Sequence, residues 1–454
     1  MDAALRHLEK NHDRYLKLLL DYLRIPSVSA QRKHDTDTRR AAEFIRARLE
    51  EAGLETGLFE GKGLPTVLGA RVVDPKKPTL AVYGHYDVQP PDPLDLWESP
   101  PFEPVVEDGE IRARGCADDK GPSLALVFAT ECWARGAGKL PLNLRFVIEG
   151  EEESGGTVVH EYLKAHAKDL AAARAVAIAD APGIARGVPA LCYGLRGIAG
   201  LEVTVTGPKR DLHSGTYGGA VMNPATALAR LLATLHDGKG RVAVAGFHDG
   251  ATPLDDAEKR RLAKLPFDER AFLLDTGSPA LCGEEGYTTW ERRTARPTVE
   301  INGIYGGYQG EGSKTIIPSR ATAKLTCRLV PGQDPARVQD AVVRHLEAHA
   351  PKAVRLAITR GHTAPAAFMD PETPWARAAR GALEKAYGCP PALTREGGSI
   401  PVVAAFREVG LEALLIGTYT PGEKAHSPNE RYFVEDFLGC IRAGIHLFGN
   451  PPGK

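Results

Sequence analysis

The chain has 454 residues, 43% of them hydrophobic and 25% charged, with a formal net charge of −1. That length makes two or three domains the expectation, and the near-neutral balance, with no long basic or acidic block, argues against nucleic acid and a membrane surface as partners. The seven cysteines are scattered without a CxxC pair, which argues against a disulfide framework and against a cysteine-based zinc site.

The first 26 residues place Leu5, Leu8, Leu16, Leu19, Leu20 and Leu23 mostly on one helical face. Asp2, Glu9 and Asp13 interrupt them and Pro26 ends the helix, so a secretory leader is not expected. No apolar run reaches the roughly 18 residues of a membrane span, and a cytoplasmic location is the expectation. A strand over 78–83 is followed by GHYDV, and a helix is predicted over 121–135. A second strand, 142–148, leads into EGEEESGG, and a third, 175–179, leads into Asp180. Strands alternating with helices predict an α/β domain with a mostly parallel sheet and helices on both faces. Ligands in such sheets bind beyond the carboxyl ends of the strands.

The pattern then changes. A strand over 198–206 and a helix over 223–236 precede a charged, proline-containing insertion at 240–297. Strands over 298–304 and 321–330, a helix over 334–350 capped by Asp334, and a strand over 354–359 follow. Without the insertion the order is β-α-β-β-α-β, the ferredoxin-like pattern. A helix over 375–387 and a strand over 411–416 restore the first character. The predicted division is therefore 1–195 and 372–454 for a catalytic domain in two segments, and 196–371 for an inserted α+β domain.

The chemistry-bearing residues are His85, Asp87, Asp118, Asp119, Glu152, Glu153, Asp180 and His426. Imidazole and carboxylate together suit zinc or manganese. On an extended segment His85 and Asp87, two apart, point the same way. The Asp87 carboxylate could then orient the ring, and of the adjacent Glu152 and Glu153 one could ligate while the other serves as a base.

These residues lie in YGHYDVQP (83–90), RGCADDKGP (114–122), EGEEESGG (149–156) and AHSPNE (425–430), accompanied by DLHSGTYGG (211–219), KTIIPSR (314–320), CRLVPG (327–332) and REGGSIPV (395–402). In this set and order the chain resembles the metallopeptidase family of carnosinase and cytosolic non-specific dipeptidase. Its wider membership includes acetylornithine deacetylase, succinyl-diaminopimelate desuccinylase and glutamate carboxypeptidase. The resemblance implies a zinc-exopeptidase-like catalytic domain, with the inserted domain acting as lid and dimerisation module of a homodimer. It implies two divalent ions per subunit, zinc or manganese, bridged by Asp118. His85 and Asp180 would complete one ion's ligands, Glu153 and His426 the other's. Glu152 would be the general base, Asp87 would orient His85, and the Asp118–Asp119 peptide would be cis. His213 would stabilise the oxyanion in the other subunit's site, with Asp211 able to orient its ring. Arg328, with Thr315, Ser399 and His362, would hold the substrate's free carboxylate. One oddity is a third glutamate, Glu151, ahead of the pair. The expected reaction is hydrolysis of the amide bond of a dipeptide. The alternatives are an N-acyl amino-acid deacylase or short-peptide carboxypeptidase on the same centre, or a metal-dependent binding protein without catalysis.

Overall fold

The computed structural model describes residues 1–170 and 172–452, and the chain divides into two compact units. One comprises 1–193, 369–394 and 405–454; the other comprises 194–368 and 395–404.

The sheet of the first unit is mixed. Its central strands run in the order Asn143–Glu149, Thr79–His85, Ala173–Pro182, Glu412–Tyr419, and every neighbouring pair among these four is parallel. Beyond them the pairing turns antiparallel: Thr66–Arg71 and Glu55–Phe59 on one side, Ala190–Leu195 on the other. The sheet is thus parallel only in the middle, where helical crossovers join the strands, and the short marginal strands escape the sequence pattern. Leu80 and Val82 point into a core shared with the helices Asp2–Leu23, Lys120–Glu131, Pro374–Tyr387 and Val434–Gly449. The alternate residue Tyr83 meets Phe406 edge-on at 5.6 Å. Every residue of Lys120–Glu131 is buried, so this central helix shows no polar face. Its last predicted turn is instead a π-helical segment, Cys132–Gly136.

The second unit carries a four-stranded antiparallel sheet in the order Thr298–Gly306, Arg320–Leu329, Gly197–Thr206, Arg355–Ala364. Numbered along the chain this is 2-3-1-4, the ferredoxin-like arrangement. Ala199, Leu201, Val203 and Val205 form one face and pack with Leu228, Leu231 and Leu232 of helix Pro224–Ala233 and with Val338, Val342 and Leu346 of helix Pro335–His349. Asn223 caps the first helix at 2.8 Å and Asp334 the second, also at 2.8 Å. The insertion, left without elements by its composition, contains the short helices Asp256–Leu262, Glu269–Thr276 and Thr289–Thr294. Thr288 and Glu291 close the last of these with a capping box, a legible signal that composition obscured. No helix among the described residues is long and apolar enough to cross a membrane.

Candidate metal centre

Parallel strands end at one edge of the first unit's sheet, and three motifs meet there. His85 is the last residue of Thr79–His85, Asp180 lies near the end of the adjacent Ala173–Pro182, and Glu152 and Glu153 follow Asn143–Glu149. Asp118 sits in the turn before helix Lys120–Glu131, joined to Asp119 by a cis peptide bond. Two groups result: His85, Asp118 and Asp180, and Asp118, Glu153 and His426. Within each, the donor atoms lie within 4.8 Å of one another, and Asp118 belongs to both.

Each donor is held. The ring of His85 is fully buried; its Nδ1–H donates to the Asp87 carbonyl at 3.1 Å, while the Asp87 carboxylate stands at 3.4 Å. The orienting partner is therefore first the backbone of Asp87 rather than its side chain. The Asp87 carboxylate accepts instead from Ser29 Oγ at 2.6 Å and from the N–H groups of Glu152 and Glu153 at 3.3 and 3.1 Å, so it orders the turn that carries both glutamates. Asp119, a candidate ligand by sequence, lies outside both groups and accepts the His85 N–H at 3.1 Å. Gly84 permits that approach: a Cβ there would come within 3.0 Å of Asp119 Oδ2 and 2.5 Å of Ser123 Cβ. Gln89 Nε2 donates to Glu153 Oε2 at 2.9 Å, a role its place in GHYDVQP did not reveal. The side chain of Glu151 lies against Gly63 and Gly156, away from either group.

The electrostatics call for cations. Burial, reinforced by Asp118, raises Asp180 well above the usual carboxylate range, and burial with Asp180 does the same to Asp119. Burial pushes Glu152 up to about 8 against the favourable charge of His85, with Glu153 adding to the rise. Asp118 is also opposed by burial, but the hydrogen bond with His426 and the nearby ring of His85 outweigh it and hold its carboxyl below the ordinary value. Hydrogen bonds with Asp118 and Glu153 push His426 up to about 10. His85 Nε2 is buried without a hydrogen-bond partner, 3.1 Å from Asp118 Oδ1 and 4.0 Å from Asp180 Oδ2. With Nδ1 donating, that orphaned nitrogen offers a lone pair, the state a metal requires. A set of hard carboxylates with one imidazole per group fits divalent zinc or manganese.

The other predicted residues lie in the second unit. Arg328 Nη1 donates to Ser399 Oγ at 3.3 Å, which brings two of the expected carboxylate binders together. Arg196, which sequence reasoning missed, is neighbour to Arg328: burial and then that second guanidinium lower it to about 10. Its only advance signal was an arginine directly after a strand buried throughout. His213 is exposed on the two-residue strand Leu212–His213, where Nδ1 accepts the Gly215 N–H at 3.0 Å. Asp211 does not orient that ring; its Oδ1 accepts the Ser319 N–H at 2.8 Å. Thr315 offers its carbonyl to the Ser214 N–H at 3.0 Å, and His362 is exposed on Arg355–Ala364.

Residues 193–354 match the peptidase dimerisation domain of the M20 peptidases. The chain is 30% identical to the Cys-Gly metallodipeptidase of Schizosaccharomyces pombe over 464 residues, 99% of this chain and 97% of that protein. It is likewise 30% identical to the Beta-Ala-His dipeptidase of Rattus norvegicus over 463 residues, 95% and 91% of the two chains. Among solved structures, an M20 family metallo-carboxypeptidase from Sulfolobus solfataricus superimposes with a TM-score of 0.86 at 30% identity, covering 96% of this chain and 98% of that one. Joined end to end with metallodipeptidases at this identity, and folded as an M20 peptidase around two groups of metal-type donors, this chain belongs to the M20 family of metallopeptidases.

Proposed function

We propose that this peptidase hydrolyses dipeptides bearing a free C-terminal carboxylate, using two divalent ions, zinc or manganese, held by His85, Asp118, Asp180, Glu153 and His426. The observation that carries it is the sharing of Asp118 by both donor groups. Bound there, the ions would polarise the scissile carbonyl and make a water nucleophilic near neutral pH. Glu152 takes the proton of that water as it attacks and delivers it to the departing amine nitrogen. Glu152 stands on the same turn as the proposed ligand Glu153, beside both donor groups; burial raises its pKa in the metal-free chain, and bound ions would draw it down again, favouring the carboxylate that accepts the proton. Arg328 grips the substrate carboxylate, with Ser399, Thr315 and His362 as neutral or weakly basic donors and Arg196 adding positive charge behind it. His213 donates to the oxyanion of a neighbouring copy, which makes the homodimer the working form. Seven free thiols accord with a reducing, cytoplasmic setting.

A second reading, carboxypeptidase action on longer peptides, draws on the Sulfolobus solfataricus neighbour. A substrate panel separates them. Metal-stripped protein reloaded with zinc, manganese or cobalt is assayed on Cys-Gly, β-Ala-His and other dipeptides, on tetrapeptides, and on N-acetyl and N-succinyl amino acids. Dipeptides should give the highest kcat/KM; a preference for tetrapeptides or acylated amino acids would overturn the dipeptidase reading.

A further inference from the structure

One buried ion pair ties together the loops that carry the donor groups. Glu430 is fully buried, and its carboxylate accepts four hydrogen bonds. Arg114 Nη1 at 2.7 Å and the Gly115 N–H at 2.8 Å reach one oxygen; the Ala117 and Asp118 N–H groups, at 2.9 and 3.1 Å, reach the other. A single side chain thereby fixes the backbone leading into Asp118. Arg114, 1% exposed, directs Nη2 to the carbonyls of Ser427 at 3.2 Å and Pro90 at 3.5 Å, and its guanidinium lies 5.4 Å from the centre of the Trp97 ring. Ser427 follows His426, and Pro90 follows Gln89, whose amide holds Glu153. Gly115 has φ +84°, and a Cβ on it would lie 2.5 Å from Val88 Cγ1, so the loop keeps this course only with glycine.

A buried pair is weak evidence for stability, because desolvation offsets the attraction. This one joins positions 316 apart in sequence, and every lone pair of its carboxylate is directed to the Asp118 loop. We propose that the Arg114–Glu430 pair is a positioning device for the metal centre: Glu430 sets the backbone of the shared carboxylate Asp118, and Arg114 sets the His426 loop against it. The proposal rests on the ligand assignment of the proposed function. Neither residue touches an ion or the substrate; both act through the placement of ligands, where errors of a few tenths of an ångström weaken binding.

The test is ion affinity, read by competition between the metal-stripped full chain and a chromogenic chelator, with circular dichroism reporting the fold. Glu430→Gln turns an amide NH2 towards backbone donors and should weaken both ions by about 10–100-fold, the usual cost of losing a ligand's outer partner. Arg114→Lys keeps a cation beside Glu430 but loses the fork to Ser427 and Pro90. It should weaken one ion by about tenfold and spare the other. Wild-type affinity for both ions in folded Glu430→Gln overturns the proposal, and equal weakening of both in Arg114→Lys overturns the part given to Arg114. If either variant fails to fold, the unsubstituted chain decides. The Gly115, Ala117 and Asp118 N–H groups should resist hydrogen exchange even when the metal is stripped. Rapid exchange there, with protection appearing only on adding zinc, would make the loop a product of the ions and overturn the proposal. Failure of the ligand assignment reads differently: His426→Ala would then retain both ions, whatever Glu430→Gln does.

Discussion

The two donor groups are built in different ways. His85 and Asp180 stand on adjacent parallel strands, with side chains 0% and 12% exposed, and the hydrogen-bond ladder of the sheet sets their separation. Glu153 stands on a single 3-10 turn, Glu152–Ser154, and His426 in a loop; His426 is 55% exposed and sits at φ 61°, a conformation that costs a non-glycine residue roughly 1–2 kcal/mol. The sheet makes one half of the centre as a by-product of folding, whereas side-chain clamps must make the other. The strand-borne group should therefore be the tighter and the loop-borne group the easier to empty.

The largest effect expected is on turnover. Glu152 lies outside both donor groups. Glu152→Gln should keep fold and metal yet lose kcat by about 10²–10⁴-fold or more, because an amide cannot take the proton. A near-native kcat would remove Glu152 from the mechanism and leave the two groups as a binding site alone.

That prediction comes from a motif legible without coordinates. EGEEESGG follows an apolar strand, and the predicted strands 78–83 and 142–148 match Thr79–His85 and Asn143–Glu149 closely. Period and flanking turns suffice for such elements because burial on both faces leaves little choice. The same holds for the ferredoxin-like strands, where alternate burial along Gly197–Thr206 writes the period directly into the residues. What stayed hidden is what sequence distance conceals. Glu430 and Arg114 both lie in recognisable motifs, AHSPNE and RGCADDKGP, but their pairing joins positions 316 apart, and no local rule announces it. Gln89 and Arg196 acquire meaning only from neighbours the fold supplies. The marginal strands Glu55–Phe59 and Thr66–Arg71 are short and interrupted by Gly57 and Gly69, which weakens the signal of a strand.

Next in size are the second unit's contributions, which the metal groups should not feel. Arg328→Ala should raise KM for dipeptides by about tenfold or more, since a charged hydrogen-bonded pair is worth roughly 1.5–3 kcal/mol, and should leave metal content unchanged. An unaltered KM would put the carboxylate elsewhere, Arg196 being the next candidate. His213→Ala and Glu152→Gln chains, each inactive alone, should recover activity when mixed and re-formed as heterodimers, up to about one working site per dimer. No recovery, with heterodimers demonstrated, would return His213 to its own chain.

A smaller effect is thermodynamic. Burial pushes both Glu149 and Glu152 up to about 8 from 4.5, Glu149 despite a hydrogen bond donated by Tyr83. The folded metal-stripped chain then holds protons that the unfolded chain has lost, so its stability should fall as pH rises from about 4.5 to about 8. We expect Tm to drop by a few degrees across that window, Glu152→Gln to show a shallower slope, and divalent metal to flatten it. A stripped chain whose Tm is constant from pH 5 to 8 would contradict the buried, repelling carboxylates.

The most direct measurement is a count of tightly bound ions per chain after dialysis, by elemental analysis, on the unsubstituted protein and on His426→Ala and His85→Ala. Asp118 shared between two unequal groups predicts two ions in the first and one in His426→Ala, with His85→Ala losing the tighter ion. A single ion in the unsubstituted chain, or two retained in both variants, would contradict a paired centre built on Asp118.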